Sequence, residues 1–327
     1  MTNPFLRVRR AALTFAVLGA LGGQAQAQTA FISSEKDNTL TLLDLKTQAV
    51  TGTIATCKRP RHVQVMPDGK RLMVACGDSG EADIIDLATR KSVGKLPLGD
   101  DPEAFDLSPD GKTLYTSNED EGALSFIDIA SGKVTKSVEI GKEPEGVKVS
   151  PDGKLVWVTS EVANMVHVID TATAKVVKNV KVGKRPRRIA LTPDGAQLWV
   201  TNEMGSSVTV LSTKDWSTVD TIKFEVKGAR STDITPVGIV MTRDGKQAFV
   251  ALGRANRVAF IDVASRKVGE LVLVGKRAWN VSLNKAETQM LVVNGLSDDV
   301  TLVDVASAKP IKSIAVGRVP YGAVIVE

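Results

Sequence analysis

The feature that most constrains this chain is a period. Pro-Asp-Gly occurs at 67–69, 109–111, 151–153 and 193–195, each copy 42 residues after the one before. Arg243-Asp244-Gly245 follows after 50 residues, and a degenerate copy, Lys285-Ala286-Glu287, after 42 more. A second marker, ID-x-A-[ST] and its variants, puts its second residue at Asp44, Asp86, Asp128, Asp170, Ser212, Asp262 and Asp304. A third, G-x-x-P, gives Pro60, Pro102, Pro144, Pro186, Pro236, Ala278 and Pro320. Three markers share one period and one insertion of about eight residues, so the chain is a set of repeats of one unit.

Each unit reads as four short strands. Between 141 and 182 these are GVKVS, LVWVTS, MVHVID and KVVKNVKV, rich in Val, Ile and Thr and separated by turn residues. In the turns, Pro presets φ, Asp bonds its own backbone and Gly accepts positive φ. Such a unit has the size of a propeller blade; alone it would leave two apolar faces wet, and radial stacking covers them. The N-terminal piece AFISSEKDNTLTLLDLKTQAVTGTIA has three runs but no innermost strand, and the C-terminal GRVPYGAVIVE supplies an innermost run and stops. Together they complete one blade. The expected fold is all-β: a seven-bladed β-propeller of four-stranded antiparallel blades, one domain over 28–327, closed by pairing of the terminal strands. An open β-solenoid is the rival, and it would need capping repeats that the sequence does not display.

Residues 1–27 read as a signal peptide. Arg7, Arg9 and Arg10 precede an apolar stretch, 11–23, too short to span a bilayer, and Ala25-Gln26-Ala27 is a cleavage site. Without those three arginines the net charge of +5 falls to +2. No basic block suggests nucleic acid, and no later segment reaches transmembrane length. A periplasmic monomer is expected.

At the repeat residues the chain resembles the YVTN family of β-propellers: Trp199-Val200-Thr201-Asn202 is the best copy of the namesake tetrapeptide, and Tyr115-Thr116-Ser117-Asn118 is another. The GH…WD signature of WD40 blades is missing. SEKDN (34–38), PVGI (236–239), ALGRANRVAFID (251–262) and LVGKRAW (273–279) are similar to the PQQ-dependent catabolism-associated β-propeller proteins. That resemblance covers essentially the whole mature chain. It implies a periplasmic partner of quinoprotein alcohol oxidation, with a quinoprotein dehydrogenase, a cytochrome or a transport component as the binding partner. It implies no catalytic residue and no cofactor.

In a propeller the G-x-x-P starts of the inner strands ring one mouth of the central channel, opposite the Pro-Asp-Gly hairpins. Candidate binding residues there are Arg61, His62, Glu103, Glu145, Arg187, Arg188, Arg277, Trp279 and Tyr321. Arginine suits planar carboxylates, and Trp and Tyr add apolar area with a polar handle. The charges read either as a solvated rim, each pair worth about 0–1 kcal/mol, or as an anion- or partner-binding mouth built on Arg61, Arg187, Arg188 and Arg277. The insertion, FEVKGARSTD (224–233), reads as a flap carrying Lys227, Arg230 and Asp233, or as a plain tolerated loop.

Catalytic signatures are sparse. The chain has two histidines. His167, inside MVHVID, reads as a packing residue; His62 is the one with a site role. One histidine gives no multi-histidine metal site, and haem-attachment and nucleophile-elbow motifs are missing. Loop carboxylates Glu35, Asp37, Glu119, Asp120, Glu161 and Glu203 could hold a cation in a lactonase-like way. Cys57 and Cys76, in one blade of an exported chain, are expected to form a disulfide rather than two free thiols, worth at most about 3 kcal/mol. The expected function is a non-catalytic periplasmic accessory propeller of quinoprotein-dependent alcohol oxidation, binding a partner protein or an anionic small molecule at the mouth, with no metal. The alternatives are a lactonase-like, metal-dependent hydrolase on the same scaffold and a generic envelope adhesion propeller.

Overall fold

The computed structural model describes Met1 and residues 28–327; the signal-peptide segment lies outside the described residues. Twenty-eight strands, numbered β1 to β28 in chain order, form seven four-stranded antiparallel sheets. Blade 1 is β4 (Pro60–Val65), β5 (Arg71–Cys76), β6 (Glu81–Asp86) and β7 (Lys91–Pro97), from the channel outward. The innermost strands of blades 2 to 6 are β8 (Pro102–Leu107), β12 (Pro144–Val149), β16 (Pro186–Leu191), β20 (Pro236–Met241) and β24 (Ala278–Leu283). Blade 7 joins the chain ends: β28 (Pro320–Val326) pairs β1 (Thr29–Ser34), followed by β2 (Thr39–Asp44) and β3 (Ala49–Ala55). In that seam Thr29 faces Val326 and Phe31 faces Val324, so the ring shuts by hydrogen bonds between the two ends.

The repeat markers act as local turn devices. Asp44, Asp86, Asp128, Asp170, Asp262 and Asp304 each accept both the backbone N–H and the hydroxyl of the Thr or Ser three residues on. Blade 4 has Ser212 at this position and rebuilds the turn with Asp215 and Ser217. In the degenerate hairpin Glu287 takes the left-handed conformation that glycine supplies elsewhere (φ 57°), and Asn284 Oδ1 accepts from Thr288 and Gln289 N–H.

The core lies between blades. Trp199, Val208 and Val210 of blade 4 pack on Ala248, Val250 and Ile261 of blade 5, and six further clusters repeat this arrangement around the ring. A blade without neighbours would expose both faces, so the blades stabilise one another. Cys57 and Cys76 are disulfide-bonded, tying the crossover that leaves blade 7 to the second strand of blade 1.

One detail of the inner strands positions the site. Pro60 pairs Cys76, but Val63 pairs Val74, so one extra residue bulges the strand between them. The same shift recurs in blades 2 to 6 and at the seam. A bulge breaks the two-residue alternation. Consecutive residues such as Arg61 and His62 can then both face the channel, at different depths. The walls also come close: a Cβ on Gly146 would collide with the carbonyl oxygen of Arg187.

Candidate active site at the channel mouth

The second residues of the seven inner strands are Arg61, Glu103, Glu145, Arg187, Val237, Trp279 and Tyr321. Their charges meet across the channel and neutralise one another. Arg61 bonds Glu103 and lies 3.1 Å from Glu35 Oε1. Arg187 Nη1 lies 2.7 Å from Glu145 Oε1 and also bonds Glu161. Arg188 Nη1 donates to Glu145 Oε2 at 2.9 Å, and Nη2 donates to the Tyr321 hydroxyl. That hydroxyl in turn donates to Glu103 Oε2 at 3.4 Å. The Arg61 guanidinium sits 4.6 Å above the Tyr321 ring, and Arg187 lies 5.2 Å from the Trp279 centroid.

This corrects the reading of a solvated rim. Glu103, Glu145, Glu161, Arg187 and Arg188 are all buried. Arg187 and Arg188 are therefore committed to protein carboxylates. They cannot be removed as freely as rim charges, because loss of one partner strands a buried charge. Burial alone would raise the Glu145 carboxyl, but Arg187, Arg188 and Arg61 outweigh it and hold it below its ordinary range. Glu161, buried and close to Glu145, is pushed up to about 8 despite Arg187 and Arg185.

Beside this layer, between blades 6 and 7, opens a cavity of about 260 Å³. Its walls include Glu35, Arg61, Arg277, Trp279, Leu296 and Tyr321. The Trp279 and Tyr321 rings are 5.6 Å apart, and the Arg277 guanidinium stacks 4.6 Å from the Trp279 ring. Among the described residues Arg277 has one carboxylate partner, Glu203 at 3.3 Å. Burial, and then the like charges of Arg254, Arg187 and Arg185, push Arg277 below its ordinary value, with Glu203 opposing. Glu35 comes from the loop between β1 and β2, and burial raises its carboxyl against the pull of Arg61 and Arg59. The cavity thus joins a carboxyl of raised pKa, two guanidinium groups and an aromatic wall.

The other expected residues fall elsewhere. His62 lies deeper in the channel, beside Phe105 (ring centroids 4.7 Å apart), and does not line the mouth cavity. His167 is a packing residue in the third strand of its blade, with Nδ1 2.8 Å from Asn179. The insertion is anchored by buried Phe224, Val226 and Ile234, while Lys227 is exposed and Arg230 pairs with Asp233 at the surface. Lys227, Arg230 and Asp233 do not line the cavity. Leu296 was not evident as a site residue, since only the spacing of the loop after β25 (Gln289–Asn294) links it to the mouth.

A cation site fits poorly. Carboxylate oxygens of Asp101, Glu103 and Glu119 come within 4.8 Å of one another. Arg59 already bonds Asp101, and Arg61 bonds Glu103, so two of the three carboxylates are already neutralised by guanidinium groups.

The fold and site define a seven-bladed propeller with an ion-paired, pocketed channel mouth. The family profile "Lactonase, 7-bladed beta-propeller" matches residues 147–310, half of the sequence, and the chain belongs to that family. A YNCE-like β-propeller profile matches residues 78–150. No curated protein matches the sequence. Similar solved structures include the periplasmic gluconolactonase of Pseudomonas aeruginosa (19% identity, covering 92% of this chain and 99% of that one, TM-score 0.78). Another is a putative 6-phosphogluconolactonase from Bacteroides uniformis (15% identity, 92% and 100% coverage, TM-score 0.76). A third is hydrazine synthase of Kuenenia stuttgartiensis (24% identity, 85% and 92% coverage, TM-score 0.76). At these identities the structural likeness speaks for the fold. The family match overturns the expectation of a non-catalytic module and points to a hydrolytic enzyme.

Proposed function

We propose that the protein is a periplasmic lactone hydrolase working in the cavity between blades 6 and 7. The observation that carries this reading is Glu35, a carboxyl of raised pKa in one cavity with Arg61 and Arg277. Ionised Glu35 takes a proton from water as the oxygen adds to the lactone carbonyl. The carbonyl oxygen becomes an oxyanion facing the guanidinium groups. The ring C–O bond then breaks, and the Glu35 proton passes to the departing ring oxygen, giving a hydroxy acid. General-base catalysis by a positioned carboxylate supplies about 10²–10⁴-fold. Trp279 and Tyr321 offer apolar faces to the ring carbons and fix its orientation. No step requires a metal ion.

The motif resemblance to quinoprotein-associated propellers supports a setting for this reaction. Two-electron oxidation of a cyclic hemiacetal carbon yields a lactone, so a sugar or alcohol dehydrogenase in the same compartment would supply the substrate. The test is turnover of five- and six-membered lactones of sugar acids, followed by acid release at constant pH. Turnover by the wild type, retained in chelator and lowered about 10²–10⁴-fold in Glu35→Gln, is the expected result. No hydrolysis above the uncatalysed rate, or a Glu35→Gln enzyme of full activity, would overturn it.

A further inference from the structure

Below the mouth layer the channel holds a second cavity of about 180 Å³, which shares only Arg188 with the ion-paired mouth. Its polar wall is His62, Gln64, Asp106, Lys148, Arg188 and Asn280. These are third and fifth residues of the inner strands, brought to the channel by the bulge. Ile189, Ile239 and Phe105 add apolar surface to the same cavity. Lys148, 39% exposed, stands toward the hairpin end, away from the mouth cavity.

The hydrogen-bond inventory is one-sided. Asp106 is buried, and its carboxylate is filled: it accepts from Gln64, Lys148, and the N–H groups of Leu107 and Val149. Donors are left over. Lys148 Nζ spends one N–H on Asp106 at 2.8 Å and has no other protein acceptor among the described residues. The Asn280 side-chain oxygen accepts from Val281 N–H, while its NH₂ group has no protein acceptor among the described residues. Arg188 uses Nη1 on Glu145 and Nη2 on Tyr321. His62 is neutral at pH 7, because burial and then Arg188 lower it to about 4. A confined space with surplus N–H donors, a filled acceptor and an aliphatic wall suits an acceptor-rich group on a short apolar stem.

The geometry points to a second ligand site here, taking a small alkyl carboxylate whose oxygens receive Lys148 and Asn280 and whose chain lies on Ile189 and Ile239. The site does not depend on the reaction at the mouth. A bound carboxylate would sit beside the neutral His62 ring and change the shielding of its nitrogens, so His62 reports occupancy. The chain has only two histidines, and His167 in an outer strand is the internal control.

The experiment is an imidazole ¹H–¹⁵N titration of the whole protein with propionate at pH 7, with sodium chloride at equal ionic strength as the blank. The expected result is a saturating shift of His62, with a midpoint of about 1 mM, and no shift of His167. Asn280→Ala should weaken it about tenfold, and Ile239→Phe, which fills the cavity without removing a polar group, should abolish it. Inorganic phosphate should bind more weakly, since it has no use for the aliphatic wall. A His62 resonance that does not move, a shift reproduced by chloride, or unchanged binding in folded Ile239→Phe would each overturn the site. Phosphate binding tighter than propionate would overturn its carboxylate class.

Discussion

Two positions that recur in every blade behave in opposite ways. At the second residue of each blade's second strand, the chain carries Ala30, Leu72, Leu114, Val156, Leu198, Ala248 and Met290, all apolar and fully buried. At the second residue of each innermost strand it carries Arg61, Glu103, Glu145, Arg187, Val237, Trp279 and Tyr321. The first set keeps one chemistry because every blade meets the same neighbour. The second set converges on a single channel, where repetition would bring like charges together. The fold is periodic; the site is where the period is abandoned.

The contrast should be measurable. The largest effect on stability is expected at Arg187. Its replacement by Met leaves Glu145 and Glu161 buried without their shared partner, a loss of about 3–5 kcal/mol by denaturant midpoint. Arg277→Gln, at the half-open edge of the same layer, should leave stability within about 0.5 kcal/mol while lowering kcat/KM. Equal stability losses for the two would break the distinction between the inner layer and the cavity wall.

Within the blades the expectation is equivalence. Leu114→Ala and Leu198→Ala occupy matching sites in blades 2 and 4, and each should cost about 2–5 kcal/mol. Values differing by more than about 2 kcal/mol would mean that the blades are not interchangeable units.

A pH-dependent effect belongs to His62. Its folded-state pKa, about 4, lies below the ordinary 6.5. As pH falls from 6.5 toward 4, the unfolded chain takes up a proton that the folded chain refuses, so stability falls. Relative to His62→Gln, the wild type should lose on the order of 3 kcal/mol across that window and nothing above it.

Much of this architecture could be read from the chain. The 42-residue spacing carried the blades, and the split of one blade between the two ends carried the seam. Pro60, Pro102 and their counterparts marked the mouth because proline can begin an inner strand where no ladder N–H is needed. What could not be read was depth. Alternation assigns Arg61 and His62 to opposite faces, whereas the bulge turns both inward, one to the mouth layer and one to the cavity beneath. Glu35 was visible only as one of several loop carboxylates, because its meeting with Arg277 and Trp279 depends on the closing of the ring. Nor does any spacing show that Arg187 reaches Glu161, which comes from a loop of the neighbouring blade.

The most direct test is the pH dependence of kcat/KM for a six-membered sugar-acid lactone in the wild type and in Glu35→Gln. The base must be ionised, and burial raises its carboxyl, so the wild-type rate should climb with pH through a midpoint above the ordinary 4.5. Glu35→Gln should lose that limb with most of the rate. A wild-type profile without the limb, or one that the variant reproduces, would contradict the account.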